Sequence, residues 1–126
     1  MPKTLILNNT VELYRLHASD IVSIEASGNY SILHVMGDEN RTVLFQLGQL
    51  VQMLNEQLGN EASVFVRIGR GLIVNRRYIY NIHLTRQTIV MRDALGHRYD
   101  EIQASREALK KVKDLVAEES GKEDQL

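Results

Sequence analysis

Two short apolar runs flank a glycine-arginine-glycine turn near the middle of the sequence: Val64-Phe65-Val66-Arg67-Ile68, then Gly69-Arg70-Gly71, then Leu72-Ile73-Val74-Asn75. β-Branched residues in short runs favour strands, and paired glycines let the backbone turn tightly between them. We therefore expect a strand, a turn and a second strand, with Arg70 at the tip of the turn. For this tripeptide alone, a plain β-turn with an incidental arginine is the alternative.

Short strand-like runs dominate the rest of the sequence, separated by Gly, Asn and Asp clusters that are typical of turns. The sequence therefore predicts a mainly β fold. Glu25–Tyr30 and Gly37–Asn40 are predicted loops, and the second predicts a hairpin. Besides Val64–Ile68 and Leu72–Val74, the predicted strands are Thr4–Leu7, Val11–Leu16, Ile21–Ile24, Ser31–Met36, Arg41–Phe45, Tyr78–His83, Thr88–Met91 and Arg98–Ile102.

Two helices complete the predicted fold class, which is mainly β with two α-helices. The first shows an apolar stripe at helical spacing and ends at Gly59-Asn60: Leu47, Leu50, Val51, Leu54 and Leu58. The second begins after Ser105, a favourable N-cap, and its apolar side comprises Ala108, Leu109, Val112, Leu115 and Val116. Residues 118–126 are expected to form a flexible acidic tail.

The composition indicates one globular domain that works without thiol chemistry. The chain has 126 residues, a formal net charge of -1 and no cysteine, so disulfides and thiolate metal sites are excluded. No apolar run approaches the roughly 18 residues of a membrane-spanning helix, and the N-terminus lacks the apolar core of a signal peptide. We therefore expect a cytoplasmic protein that does not contact a membrane.

The strongest functional indication is an acid-free stretch from Ala62 to Arg92. It contains no Asp or Glu but six arginines, namely Arg67, Arg70, Arg76, Arg77, Arg86 and Arg92. The planar guanidinium fork suits phosphate groups and guanine edges, so this stretch favours nucleic-acid binding. The alternative is that strand arginines only keep sheet edges soluble.

Asn75, Arg76 and Arg77 follow an apolar strand within this stretch. Asparagine can read adenine, but it also closes turns through its own side chain, and we favour the turn for Asn75. If the strand continues, Arg76 and Arg77 point to opposite faces.

Two further segments are candidates for contact with a sugar-phosphate strand. Asn29, Tyr30 and Ser31 lie at the Gly28 loop. Here we favour a mixed outcome in which Tyr30 packs into the core and Asn29 and Ser31 are exposed. Arg106 opposes the helix dipole at the first helical position, which a phosphate bound by the helix N-terminus and Arg106 together would explain. A solvated arginine is the alternative.

Enzymatic indications are weak. The four histidines are scattered, no serine lies in a nucleophile elbow, and Asp93, Asp100 and Glu101 are interpreted as solvated surface. We expect no catalysis, no cofactor and no metal.

Taken in order along the chain, these segments resemble the LytTR family of bacterial DNA-binding domains. The similarity covers roughly residues 4 to 117 and rests on Ile21–Ser31, Leu47-Gly48-Gln49-Leu50, Phe65–Asn75, Tyr78-Ile79 and Ser105-Arg106. It implies a stack of small β-sheets over residues 1–117, with one inserted helix and one C-terminal helix.

The resemblance also implies a transcription regulator whose loops enter successive major grooves of double-stranded DNA, often at direct repeats, and bend the duplex. By position, the DNA-contacting residues are Asn29, Tyr30, Ser31, Arg67, Arg70, Ser105 and Arg106, and the arginine-rich stretch adds Asn75 and Arg77. A dimer on the DNA and a sensor or receiver partner stay open. A second hypothesis is a protein-interaction module whose basic face docks an acidic partner.

Two departures from the family pattern bear on this expectation. The family usually has His at the position of Gly69 and Ser at that of Gly71, so contacts by those side chains must be replaced by backbone N–H groups or dropped. Family members usually follow a receiver domain, which this sequence does not include. Met1 and the early strand favour a stand-alone form of the domain.

Overall fold

The computed structural model describes residues 2–38 and 40–120 as a mainly β fold with two helices. The strands are β1 (Leu5–Asn8), β2 (Leu13–Leu16), β3 (Ile21–Ser27), β4 (Tyr30–Val35), β5 (Arg41–Val43), β6 (Phe65–Ile68), β7 (Leu72–Asn75), β8 (Ile79–His83), β9 (Thr88–Met91) and β10 (Ile102–Gln103). The helices are α1 (Leu47–Leu58) and α2 (Arg106–Ala117). The predicted fold class is confirmed.

Three antiparallel sheets are stacked in the fold. The largest has the strand order β5-β4-β3-β7-β6, so that hairpins distant in sequence are joined where β3 pairs with β7. A three-stranded sheet has the order β10-β9-β8, and β1 pairs with β2 in a two-stranded sheet. The predicted turn at Gly69-Arg70-Gly71 joins β6 to β7, with Ile68 opposite Leu72.

The five-stranded sheet carries a hydrophobic core on each of its two faces. One core joins α1 and β1 to the sheet and includes Leu50, Leu54 and Ile73. The other joins α2 and β9 to the sheet and includes Val74, Met91 and Leu109. Because both faces are covered, all four residues of β7 are buried, which explains a continuous apolar run where a half-exposed strand would alternate.

Most strand boundaries differ from the sequence-based expectation by one or two residues, and two segments differ more. The predicted loop Glu25–Tyr30 shrinks to the turn Gly28-Asn29, because Glu25, Ala26 and Ser27 pair with β4. The predicted strand Arg98–Ile102 is wrong for most of its length: Arg98 forms an isolated bridge with Arg92, and regular pairing begins only at Ile102. The turn at Ala94-Leu95 lies between the two bridge partners, Arg92 and Arg98.

The acidic tail begins within the described residues and continues beyond them. Glu118–Ser120 form a 3-10 turn directly after α2, and Glu119 lies 3.6 Å from the Arg76 Nε atom. Residues 121–126, where most of the predicted tail falls, and Glu39 of the predicted Gly37–Asn40 turn lie outside the described residues. In the part of the chain that is described, neither helix has the length and apolar character needed to cross a bilayer.

Asp93 was expected on the solvated surface, but its side chain is buried, with the whole residue 5% exposed. Its carboxylate accepts hydrogen bonds from the backbone N–H groups of Leu95 (2.9 Å) and His97 (3.0 Å) and from the Tyr99 hydroxyl (2.5 Å). The carboxylate therefore closes the turn between Arg92 and Arg98. A polar residue in a turn need not be exposed, because the backbone of the turn can enclose its side chain.

Burial alone would raise the pKa of the Asp93 carboxyl, but the bonds from Tyr99, His97 and Leu95 outweigh it and hold the pKa below its usual value. Burial and the hydrogen bond to Asp93 in turn raise the pKa of Tyr99 to about 12. A depressed carboxyl pKa stabilises the fold above the unfolded-state pKa, and this contribution is lost as the pH falls through the folded-state pKa.

We expect Asp93→Asn to lower the free energy of unfolding at neutral pH by about 1–3 kcal/mol, because charge-assisted bonds are lost in a buried turn. Between about pH 5 and the acid transition, the stability of the variant should also vary less with pH than that of the parent. Urea unfolding across this pH range measures both effects. Asp100→Asn, at an exposed aspartate, is the control; an equal loss in both variants would contradict the role assigned to Asp93.

Candidate nucleic-acid interface

Two hairpin turns lie side by side at one end of the five-stranded sheet. The β3–β4 turn is Gly28-Asn29, and the β6–β7 turn is Gly69-Arg70-Gly71. The Ala26 N–H donates to the Gly71 carbonyl at 2.9 Å and ties the two hairpins together. Gly28 and Gly69 have φ values of +62° and +63°, a conformation that glycine adopts without strain.

The N-terminus of α2 lies at the same end of the sheet. Ser105 and Ala108 line a groove together with Gly69 and Gly71 of the β6–β7 turn. The Ser105 hydroxyl accepts a hydrogen bond from the Ala108 N–H at 3.2 Å, so the predicted N-cap is confirmed. The other end of the helix lies near Arg76, since Glu119 in the following turn reaches that side chain. Thus α2 begins at the turn end of the sheet and runs away from it.

Three exposed arginines from separate segments meet at this end: Arg67, Arg70 and Arg106. Arg67 Nη2 donates to the Arg70 carbonyl at 3.1 Å, which fixes the side chain along the turn. Among the described residues, none of the three forms an ion pair with a carboxylate. We call the surface formed by Asn29, Tyr30, Arg67, Arg70, Ser105 and Arg106 the turn-end surface.

The family model described as LytTr DNA-binding domain matches residues 11–117, which is more than half of the chain. The chain belongs to the LytTR family.

A solved structure agrees with this assignment at the level of the fold. It is the LytTr DNA-binding domain of a Bacillus cereus protein described as a methyl-accepting/DNA response regulator, with a TM-score of 0.60 and 19% sequence identity. The match covers 90% of this chain and 96% of that domain. No curated protein matches the sequence. LytTR domains are the DNA-binding domains of bacterial transcription regulators and are not an enzyme family.

The LytTR domain exposes Tyr30 and buries Ser31, the reverse of the favoured expectation for this loop. Tyr30 is 47% exposed, whereas Ser31 is fully buried and its hydroxyl donates to the Phe45 carbonyl at 2.7 Å. The reason is the strand period of two: Ser31 and Leu33 share the face that packs toward α1, and Tyr30 precedes them on the outer side. Asn29 is exposed, and its carbonyl oxygen accepts from Gln46 Nε2 at 3.2 Å.

Asn75 takes the turn role that the sequence favoured and lies in the interior of the LytTR domain. Its amide nitrogen donates to the carbonyls of Ala18 (3.2 Å) and Ile21 (3.1 Å), and its oxygen accepts from the Arg77 N–H at 3.0 Å. At 1% exposure it offers nothing to a ligand outside. We therefore leave Asn75 out of the turn-end surface.

Arg77 is exposed but lies at the opposite end of the sheet. It follows Asn75 at the end of β7, whereas Arg70 precedes β7. Asn75 lies four positions after Gly71 along extended strand, about 13 Å at the usual rise per residue. Arg76 and Arg77 lie in a 3-10 turn, so the strand does not continue through them and the condition for opposite faces is not met.

The structure places one further arginine-bearing segment close to the turn-end surface. The β8–β9 turn lies beside the start of α2, because the Ala104 N–H donates to the Gln87 carbonyl at 3.2 Å. The turn exposes Arg86, which pairs with Glu101 at 3.0 Å, and Gln87, which has a φ of +56°. A non-glycine residue with positive φ is uncommon, but the sequence alone does not reveal it.

We expect Asn75→Ala to lower the free energy of unfolding by about 1–3 kcal/mol, because it removes the buried amide's bonds to the Ala18 and Ile21 carbonyls and from the Arg77 N–H. DNA affinity, corrected for the folded fraction, should stay at the parent value. Chemical denaturation and fluorescence anisotropy with a labelled duplex measure the two quantities. A variant of parental stability that has lost affinity would instead make Asn75 a contact residue.

Proposed function

We propose that this LytTR domain binds duplex DNA sequence-specifically through the turn-end surface. The observation that carries the proposal is the convergence of Arg67, Arg70 and Arg106 at one end of the sheet, with no carboxylate paired to any of them within the described residues. Unpaired guanidinium groups are free to exchange water and counterions for phosphate oxygens or base edges.

The shape of the surface fits DNA. A hairpin tip is narrow enough to enter the major groove, which is about 12 Å wide. The centres of the β3–β4 and β6–β7 hairpins are about two strand spacings, or 10 Å, apart, and α2 adds a further layer, so the surface extends on the order of 20 Å. A surface of this length exceeds the width of one major groove and reaches the flanking phosphates, so contacts in successive major grooves are proposed to come from neighbouring copies along the duplex.

Some residues of the turn-end surface are suited to base contacts, and others to backbone contacts that position the domain on the duplex. Arg70 lies at the tip of the β6–β7 turn, and its planar guanidinium group is suited to the two hydrogen-bond acceptors on a guanine edge. Arg106 and the free N–H groups at the start of α2 are suited to a backbone phosphate. Asn29 and Tyr30 supply polar and aromatic contacts at the neighbouring tip, and Arg67 orients the β6–β7 turn through its bond to the Arg70 carbonyl.

A domain of this size covers one short half-site of a duplex. We propose binding at direct repeats, with two copies placed head to tail along the duplex. The spacing of the repeats then reports the distance between copies, in units of the helical turn of about 34–36 Å.

Arg70→Ala should weaken binding to a selected duplex by a factor that corresponds to about 1–3 kcal/mol and should relax the preference at one base position. A similar loss for every duplex, with a salt slope smaller by about one charge, would instead assign Arg70 to a phosphate. Arg15→Ala, at an exposed arginine of β2, is the matched control. Unchanged affinity and salt slope for the Arg70 variant would contradict the proposed role.

Selection from a library of random duplexes, followed by sequencing, tests the sequence-specific part of the proposal. We expect enrichment of a short motif repeated in direct orientation. The double variant Arg67→Ala/Arg70→Ala should lose the enrichment and retain weaker binding without preference. No enriched motif with the parent domain would refute sequence-specific recognition.

A further inference from the structure

The acid-free stretch supplies arginines to both ends of the domain. Those at the end opposite the turn-end surface are not part of the proposed DNA contact. Arg67 and Arg70 belong to the turn-end surface. Arg92 lies at the other end, since β9 runs from the β8–β9 turn toward Met91 and the Arg92 N–H donates to the Tyr78 carbonyl at 2.7 Å. Thr88 and Arg92 are four strand residues apart, about 13 Å along the strand.

At this far end, two guanidinium groups gather over one exposed tyrosine ring. The Cζ atoms of Arg92 and Arg98 lie 5.1 and 5.7 Å from the centroid of the Tyr80 ring. The two arginines are partners in an antiparallel bridge, so their side chains stand next to each other. We call Tyr80, Arg92, Leu95 and Arg98 the Tyr80 patch.

The charge of the Tyr80 patch is not neutralised by the part of the chain that the structure describes. Neither Arg92 nor Arg98 forms an ion pair with a carboxylate there. The carboxylate in the turn between them belongs to Asp93, which is buried and committed to Leu95, His97 and Tyr99. Two like charges held next to each other repel, and the contact with the aromatic ring offsets only part of this cost. An anion bound between the two guanidinium groups would offset the remaining repulsion.

Apolar side chains accompany the charges. Tyr80 is 53% exposed, and Leu95, at the tip of the turn that joins the two arginines, is 67% exposed. Tyrosine and arginine are enriched among the residues that contribute most of the binding energy at protein–protein interfaces. A DNA backbone offers phosphates to the arginines but nothing to Leu95. A duplex held at the turn-end surface is also separated from the patch by the length of the three-stranded sheet.

We propose that the Tyr80 patch is a docking site for an acidic segment of a partner protein. The carboxylates of the segment bond to the outer edges of the Arg92 and Arg98 guanidinium groups, and an apolar residue of the segment packs on Leu95 and the edge of Tyr80. Because the two surfaces lie at opposite ends, the domain binds this segment and DNA at the same time. The site goes beyond the proposed DNA contact and does not depend on it.

The test is an NMR titration of the full chain with a short synthetic peptide that carries several glutamates and two leucines in a glycine-serine background. A matched peptide has glutamine at every glutamate. We expect the acidic peptide to shift the Arg92 and Arg98 Nε–H and Tyr80 ring resonances and to leave the resonances of the turn-end surface in place. The glutamine peptide should bind at least about tenfold more weakly, since its contacts are not charge-assisted.

A variant pair separates local contact from net charge. Arg92→Gln/Arg98→Gln should weaken binding of the acidic peptide about tenfold. Lys110→Gln/Lys113→Gln removes the same charge from exposed positions of α2 and should leave peptide binding within about twofold. Equal weakening in both pairs would reduce the effect to net charge and overturn the proposal.

The same titration on the complex with a selected duplex decides between partner classes. Bound DNA should leave the affinity for the peptide unchanged. The proposal is overturned if the peptide displaces the duplex, if it shifts the resonances of the turn-end surface in place of those of the patch, or if it does not bind. It is also overturned if excess duplex shifts Arg92 and Arg98, because the patch is then a second DNA contact. The selected duplex and the Arg70→Ala variant test the turn-end surface separately, so the two proposals can fail independently.

Discussion

The antiparallel pairing of β3 with β7 holds together the parts of this domain that matter for binding. The pairing joins a hairpin that ends near residue 35 to one that begins at residue 65, and it lies between the two cores. The hydrogen bond from the Ala26 N–H to the Gly71 carbonyl extends this pairing up to the turns. Without it, the tips at Gly28-Asn29 and Gly69–Gly71 would have no fixed relation to each other.

Burial on both faces makes this arrangement rigid. β7 is buried along its whole length, and Asn75 at its end bonds the carbonyls of Ala18 and Ile21, which fixes the start of β3. The helices then fill complementary roles: α1 covers one face, and α2 covers the other while it brings its N-terminus beside the β6–β7 turn. A rigid frame of this kind places short loops accurately, as the proposed contacts with DNA require.

The arginines show how the fold divides one charged stretch of sequence. Along Ala62–Arg92, the arginines fall at alternate ends of the molecule in successive groups, because each strand carries the chain across the sheet to the opposite end. Arg70 and Arg86 lie in turns at one end, and Arg77, in the 3-10 turn before β8, and Arg92, directly after β9, lie at the other. A nearly neutral protein therefore presents two basic surfaces, and we propose DNA for one and an acidic protein segment for the other.

The sequence by itself determined the fold class, the bounds of α1, the Ser105 cap, the turn at Gly69–Gly71 and membership of a DNA-binding family, because local spacing, capping and turn chemistry act within a few residues. Only the tertiary structure decided which candidates are exposed and which lie together. Ser31 and Tyr30 exchanged their expected places, Asp93 proved to be buried, and Arg77 was separated from Arg70. These outcomes depend on which face of a strand is covered and on which strands pair, and both are set by contacts between residues far apart in the sequence.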